Sequence, residues 1–236
     1  MSVPAETLGV NPVIHPAAHG RLATLAPPDS AAAEQYRVLH QRLERLALKR
    51  PMRVVAVTSS ARGEGRSTTA LNMALAAAED GRQVALVECD VRKPCLAQRL
   101  ELAPRAGLAE VALGTAELSQ ALCRAGGLTV LCAGEAKDPA AVLRSPRLLA
   151  IMDTLRANFA LVVLDAPPAL AFADAERLAS AADGAVLVVR ANETPREVVR
   201  LALEGLGDRV VGIVLNHVNA GNMVHGKYLY ADPTAA

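Results

Sequence analysis

The sequence predicts an α/β fold with a mostly parallel central sheet and helices on both of its faces. Two patterns carry this prediction. Strand-like apolar runs alternate along the chain with segments of helical periodicity, which is typical of parallel strands joined by crossover helices. The apolar runs are rich in Val and Leu and nearly continuous, as expected for strands that are buried on both faces. The 236 residues are enough for one large domain of this kind.

The predicted elements follow one another in a regular order. A helix over 31–48 begins at the N-cap Ser30, and Pro51 separates it from the first strand. The runs predicted as strands are 53–59, 83–88, 128–132, 160–165, 184–190 and 210–215. The segments between them that are predicted as helices are 67–79, 94–100, 117–125, 145–157, 174–181 and 194–206. In such a sheet, ligands bind at the carboxyl ends of the strands.

Three regions are predicted along the chain. Residues 1–30 hold scattered prolines and little periodicity, so we expect a flexible N-terminal arm. Residues 31–220 show no internal repeat and are interpreted as one domain. Residues 221–236 form an irregular tail that carries Tyr228 and Tyr230.

Composition narrows the class of protein. A net charge of +1 does not favour a nucleic-acid binder. No apolar run reaches the length of about 18 residues that a membrane span requires, and no secretory signal precedes the domain. We therefore expect a cytoplasmic protein, alone or attached to a membrane partner. The cysteines lack metal-ligand spacing and are interpreted as reduced residues; they are Cys89, Cys95, Cys123 and Cys132.

A phosphate-binding loop is predicted between the first strand and the next helix. Gly63 and Gly65 allow the backbone to approach a phosphate, and Ser67 lies at the helix start, where its hydroxyl can coordinate Mg²⁺. The usual pattern ends in Gly-Lys-Ser/Thr, but here Arg66 occupies the lysine position. A strand–helix turn without a ligand is the alternative interpretation.

Carboxylates follow two of the later strands. Glu88 and Asp90 lie two residues apart at the end of the second strand, so both point to the same face. Asp165 ends the apolar run 161–164, in the form of a Walker B strand. Such groups can hold Mg²⁺ and accept a proton, although a solvated acidic pair would have the same spacing.

Together these motifs resemble the bacterial tyrosine kinase (CpsD/CapB-like) family of capsule and exopolysaccharide synthesis, a branch of the MinD/ParA-like P-loop ATPases. The family patterns are T-S-x-x-P-G-E-G-K-S-T, then D-x-D-x-R-x-P, then an apolar strand ending in D-x-P-P. The corresponding stretches are 58–68, 88–94 and 165–168, within a resemblance that covers about 34–218.

The resemblance implies roles for particular residues. Glu88 would be the catalytic base and Arg66 the catalytic cation, while Ser67, Asp90 and Asp165 would hold Mg²⁺. ATP would bind to the loop and to the adenine-recognising asparagine; these residues are Gly63, Glu64, Gly65, Arg66, Ser67, Thr68 and Asn216. Tyr228 and Tyr230 would be autophosphorylated.

The resemblance also implies partners. Glu34 and Arg37 would form part of the helix through which the family assembles rings, and the partner would be a membrane polysaccharide chain-length regulator, or co-polymerase. The protein would then lie at the inner face of the plasma membrane.

The departures from the family pattern leave three functions open. Arg66 keeps the charge of the usual lysine but is larger and planar, and Glu88 replaces an aspartate. His40 replaces the third residue of the ring motif. The alternatives are a tyrosine autokinase with weak activity and a catalytically impaired nucleotide-binding scaffold of the same pathway. The third is a MinD/ParA-type ATPase, which the absence of a second loop lysine at Ala61 disfavours.

Overall fold

The computed structural model describes residues 30–171 and 174–218. Almost all of the predicted arm, and the tail with Tyr228 and Tyr230, lie outside these residues. The helices are α1 (Ala31–Ala47), α2 (Arg66–Glu79), α3 (Leu96–Arg99), α4 (Leu108–Leu113), α5 (Leu118–Ala121), α6 (Pro139–Arg144), α7 (Arg147–Asn158), α8 (Asp174–Ala181) and α9 (Arg196–Leu206). The strands are β1 (Val54–Ser59), β2 (Val84–Glu88), β3 (Leu122–Ala125), β4 (Leu128–Leu131), β5 (Leu161–Asp165), β6 (Gly184–Arg190) and β7 (Val210–Asn216).

The strands form one seven-stranded sheet in the order β3-β4-β2-β5-β1-β6-β7. Every neighbouring pair is parallel except β3 and β4. The mostly parallel α/β fold predicted from the alternating pattern is therefore confirmed. Strands β2, β5 and β1 lie side by side at the centre and run parallel, so the residues that follow them meet at the carboxyl end of the sheet.

Each face of the sheet is covered by its own hydrophobic cluster. Successive residues of a strand point to opposite faces, and in β1 Val54 and Ala56 pack into one cluster while Val55 and Val57 pack into the other. The first cluster includes residues of α4, α6, α7, α8 and α9, and the second includes residues of α1, α2 and α3. Burial on both faces explains why these strands read as continuous apolar runs.

One predicted helix is wrong in its second half. The segment 117–125 begins as the short helix α5 but continues as β3, which pairs antiparallel with β4. Gly126 and Gly127 join the two strands, and Gly126 has a positive φ of 59°. A two-residue glycine turn of this kind favours a hairpin. As a strand, the segment 122–125 pairs its backbone with β4, which a helix could not do. The short helices α4 and α6 were not predicted.

No helix among residues 30–171 and 174–218 is long and apolar enough to cross a membrane.

Candidate nucleotide site

The loop between β1 and α2 has the backbone of a phosphate-binding loop. Gly63 and Gly65 have φ values of +82° and +91°, a backbone conformation that residues with a side chain rarely adopt. Gly65 is the N-cap of α2, so the free N–H groups of the first helical turn face the loop. A Cβ atom at Gly65 would lie 1.9 Å from the Asn216 side-chain nitrogen, so glycine is required there for space as well as for conformation.

The Glu64 side chain is buried and holds the loop in place through hydrogen bonds. Its Oε2 accepts a hydrogen bond of 2.8 Å from the Ala61 N–H, and its Oε1 accepts one from the Thr194 hydroxyl. The Asn216 side-chain amide donates a bond of 2.9 Å to the Glu64 carbonyl oxygen. The Glu64 side chain is thus used within the protein, so the predicted contact of Glu64 with nucleotide would have to come from its backbone N–H. Thr194 was missed because it follows β6, far along the chain.

A cavity of about 320 Å³ opens beside the loop. Its lining is strongly basic, with four cationic side chains and one carboxylate. The lining residues are Arg62, Gly63, Gly65, Arg66, Ser67, Thr68, Asp90, Lys93 and Arg99. Arg99 reaches the loop from α3 and donates a bond of 2.9 Å to the Thr68 hydroxyl. Lys93 and Arg99 were not predicted as site residues; Lys93 directly follows the acidic pair, whereas only the position of α3 brings Arg99 here.

Arg66 bridges the two carboxylates that were predicted to hold a metal ion. Its Nη2 lies 2.5 Å from Asp90 Oδ2, and its Nε lies 3.2 Å from Asp165 Oδ1. The three side chains are 12%, 7% and 1% exposed, so the ion pairs are shielded from solvent. The structure therefore brings Arg66, Asp90 and Asp165 together in contacts with one another, and their roles toward Mg²⁺ and nucleotide stay predictions.

Asp165 is the most perturbed carboxyl group of this cluster. Burial raises the pKa of Asp165 to about 6, although the Arg66 charge and the Ser67 hydroxyl act in the opposite direction. Its second oxygen, Oδ2, is buried and has no hydrogen-bond partner among the described residues. Desolvation without full compensation makes this a costly position for a charge, and such positions are typical of functional sites.

Glu88 does not line the cavity, and its carboxylate accepts backbone hydrogen bonds. One oxygen accepts hydrogen bonds from the N–H groups of Cys95 and Leu96, where α3 begins, and the other accepts one of 3.1 Å from Ala133. The side chain is 1% exposed. A catalytic base at Glu88 remains a prediction, but these contacts favour a structural role, because both oxygens are already engaged.

The oxygen donors of this cluster suit Mg²⁺ in kind, but their arrangement does not fit it. Arg66 takes one oxygen of Asp90 and one of Asp165, which belong to the predicted ligand set. A second group of donors, Glu88, Cys95 and Asp165, lies within 4.8 Å. In that group the Glu88 oxygens accept backbone N–H groups, so a divalent cation would find few free ligands here.

The predicted ring-forming residues make contacts within the chain. Arg37 lies 3.2 Å from Glu34 on α1 and 3.3 Å from Glu79 at the end of α2. His40 is buried, with its Nε2 3.1 Å from Asp80 Oδ2. Ring assembly through Glu34 and Arg37 therefore stays a prediction, and it would have to use side chains that already connect α1 to α2.

Comparisons with known proteins identify the family. The family described as "CobQ/CobB/MinD/ParA nucleotide binding domain" matches residues 55–230. The tyrosine-protein kinase YwqD of Bacillus subtilis is 34% identical over 212 residues, which cover 87% of this chain and 89% of YwqD. The tyrosine-protein kinase CpsD of Streptococcus agalactiae is 31% identical over 183 residues, covering 75% of this chain and 80% of CpsD.

Solved structures give the same result. The kinase domain of VpsO is 31% identical, with a TM-score of 0.72, and the match covers 80% of this chain and 97% of that domain. The chimerical protein CapA2B2 is 25% identical with a TM-score of 0.78, covering 90% of this chain and 96% of the chimera. The phosphate loop, the order of the acidic motifs and these matches lead to one conclusion. The chain belongs to the bacterial tyrosine-protein kinases of the CobQ/CobB/MinD/ParA nucleotide-binding family.

Proposed function

We propose that this chain binds ATP, transfers its terminal phosphoryl group to tyrosine only slowly, and regulates capsule or exopolysaccharide production. The observation that carries the proposal is the loop with Gly63 and Gly65 at positive φ beside a basic cavity. Backbone N–H groups at the start of α2 and the surrounding cations would bind the phosphates of the nucleotide. Asn216, which touches the loop, would lie near the base.

The slow transfer follows from the position of Arg66. Phosphoryl transfer depends on cations placed against the charge that develops in the transition state. The Arg66 guanidinium is directed to Asp90 and Asp165 instead. Magnesium at Ser67, Asp90 and Asp165 stays a prediction that would require Arg66 to leave both carboxylates. In the reaction, a tyrosine oxygen bonds to the γ-phosphorus, ADP leaves, and a carboxylate accepts the phenolic proton. Asp90, which lines the cavity, is better placed for this step than Glu88.

The predicted acceptors are Tyr228 and Tyr230. Incubation with γ-labelled ATP and Mg²⁺ tests the proposal directly. We expect weak labelling of tyrosine in the wild-type chain, and none in the double variant Tyr228→Phe/Tyr230→Phe. Arg66→Lys should increase labelling by about tenfold, because a compact ammonium group restores the usual loop cation. Arg200→Lys, an exposed exchange of the same kind on α9, is the matched control and should change nothing.

A catalytically inactive scaffold is the second candidate. The same bridge favours it, because a loop cation held by two carboxylates gives little stabilisation to the transferred phosphoryl group or to the departing ADP. If neither the wild-type chain nor Arg66→Lys labels tyrosine while ATP still binds, the scaffold is the function. Rapid labelling of the wild-type chain would reject it.

A membrane co-polymerase is the proposed partner. Its support comes from relatives: the protein named "Succinoglycan biosynthesis transport protein ExoP", of Rhizobium meliloti, is 31% identical over 210 residues. The match covers 85% of this chain but 26% of ExoP. A deletion strain complemented with the wild-type chain or with Arg66→Ala should differ in the amount or length of surface polysaccharide. Equal polysaccharide in the deletion strain and the complemented strains would reject the pathway.

A further inference from the structure

The guanidinium of Arg66 occupies the position that a divalent cation would take between Asp90 and Asp165. It contacts one oxygen of each carboxylate, at 2.5 Å and 3.2 Å. A guanidinium group stays protonated at all physiological pH values, so it remains a competitor for both carboxylates. The low exposure of the three side chains strengthens the two ion pairs, because water does not screen them.

Binding of a divalent cation at this position would have to break both ion pairs. Displacing Arg66 would leave its charge unpaired beside a cavity that is already lined by Arg62, Lys93 and Arg99. While Arg66 is in place, Asp165 Oδ2 is the one carboxylate oxygen of the Arg66-bridged pair that is buried without a hydrogen-bond partner among the described residues, and Mg²⁺ would have to take its other ligands from water and phosphate. The structure thus disfavours the metal at the place where the acidic motifs predict it.

The same cavity suits a polyphosphate that carries no metal. Its lining holds four basic side chains and only one carboxylate, which Arg66 neutralises. Arginine is well suited to phosphate because its planar fork donates two parallel hydrogen bonds. Arg62, Lys93 and Arg99 can therefore neutralise the charge that Mg²⁺ neutralises in ordinary phosphate-binding loops.

We propose that this chain binds a nucleoside polyphosphate in its metal-free form, with Arg66 in place of the divalent cation. The inference rests on the proposed nucleotide binding but not on any transfer of phosphate. Arg66 then acts as a positioning residue that orders Asp90 and Asp165.

Calorimetry with ADP and ATP, in excess EDTA or in excess Mg²⁺, tests the proposal on the full chain. In EDTA, the wild-type chain should bind at least as tightly as in Mg²⁺. Arg66→Lys should reverse this order, with binding about tenfold or more tighter in Mg²⁺, because a shorter ammonium group frees the carboxylates for the metal. Arg200→Lys should behave as the wild-type chain does.

Binding of the metal alone gives a readout that is independent of nucleotide and of activity. Titration with Mn²⁺, followed by its electron paramagnetic resonance signal, should show no stoichiometric site in the wild-type chain and one in Arg66→Lys. A stoichiometric Mn²⁺ site in the wild-type chain would overturn the proposal.

The outcomes separate this inference from the proposed function. Nucleotide binding by the wild-type chain in Mg²⁺ but not in EDTA overturns the inference and leaves the proposed function intact. Absence of binding in both buffers overturns both. Binding in EDTA without any tyrosine labelling supports the inference and rejects only the kinase activity.

Discussion

Single residues in this site are used in ways that their types alone do not indicate. Arg66 and Glu88 both keep the charge expected from the family pattern, yet each charge is directed to another part of the protein. Arg66 pairs with Asp90 and Asp165, and Glu88 accepts the N–H groups that open α3. The reason is burial: an enclosed charge must find partners nearby, and the nearest partners are protein groups.

The raised pKa of Asp165 predicts a particular pH dependence of stability. A folded-state pKa of about 6, above the usual value of 3.8, means that the folded state binds this proton more tightly than the unfolded state. The stabilisation is present below the unfolded pKa and is lost as pH rises through about 6. At full loss the difference amounts to about 3 kcal/mol.

Asp165→Asn should therefore gain stability relative to the wild-type chain as pH rises from about 4 to about 7. Urea unfolding of both proteins at several pH values measures the difference. A difference that stays constant across this range would contradict the raised pKa. Asp153→Asn, on α7 and away from the site, is the control for the removal of an aspartate charge.

At the level of elements, the turn from β1 into α2 depends on two glycines that differ in one respect. Both have positive φ, but a Cβ at Gly63 would meet nothing within 4 Å, whereas one at Gly65 would meet Asn216. Gly65 is also the N-cap of α2, so a shift there moves the N–H groups that would bind phosphate. The loop and β7 are consequently coupled through Asn216.

Gly63→Ala and Gly65→Ala form a matched pair. Gly63→Ala should cost about 1 kcal/mol of unfolding free energy, from the backbone alone. Gly65→Ala should cost clearly more, and should weaken nucleotide binding, because Asn216 must also move. Adding Asn216→Ala should recover part of the stability lost in Gly65→Ala. Equal losses in the two single variants, measured by urea unfolding, would show that the contact with Asn216 is unimportant.

On the scale of the whole molecule, the two ends of the sheet have separate tasks. The carboxyl ends of β1, β2 and β5 meet at the candidate nucleotide site. The amino end of β1 is held by hydrogen bonds to the Asp183 carboxylate. One oxygen of Asp183 accepts hydrogen bonds of 2.8 Å from the N–H groups of Arg53 and Val54. The other lies 2.6 Å from Arg156 on α7. This junction connects β1, α7 and the start of β6.

Asp183→Ala should therefore lower stability without changing the site. Three hydrogen bonds to a partly buried carboxylate would be lost, at a cost of about 2–4 kcal/mol. The affinity for ADP in EDTA should stay within about twofold of the wild-type value at a temperature where the variant is folded, since distant sites are nearly independent. Asp208→Ala, on the surface, is the control. A large loss of affinity in Asp183→Ala would show that the two ends of the sheet are coupled.

The α/β class, the order of the strands along the chain and the carboxyl end of the sheet as the place for a ligand could all be predicted from the amino-acid sequence. These follow from short-range patterns: continuous apolar runs, helical periodicity and glycines at a strand–helix turn. Within the described residues, the elements of the predicted domain mostly lie within two residues of their predicted bounds. The exceptions are the hairpin strand β3, the end of the short helix α5 that precedes it, and the short helices α4 and α6.

The contacts of the charged groups in the site could not be predicted in this way, because they depend on the folded arrangement. Arg66 meets Asp90 and Asp165, residues 24 and 99 positions along the chain, and Thr194 meets Glu64 across 130 positions. No local pattern specifies such pairs, because burial and the position of every neighbouring charge select them once the sheet has formed. Whether the loop cation faces a phosphate or the carboxylates is a choice of this kind, and it separates an ordinary phosphate-binding loop from the one in this chain.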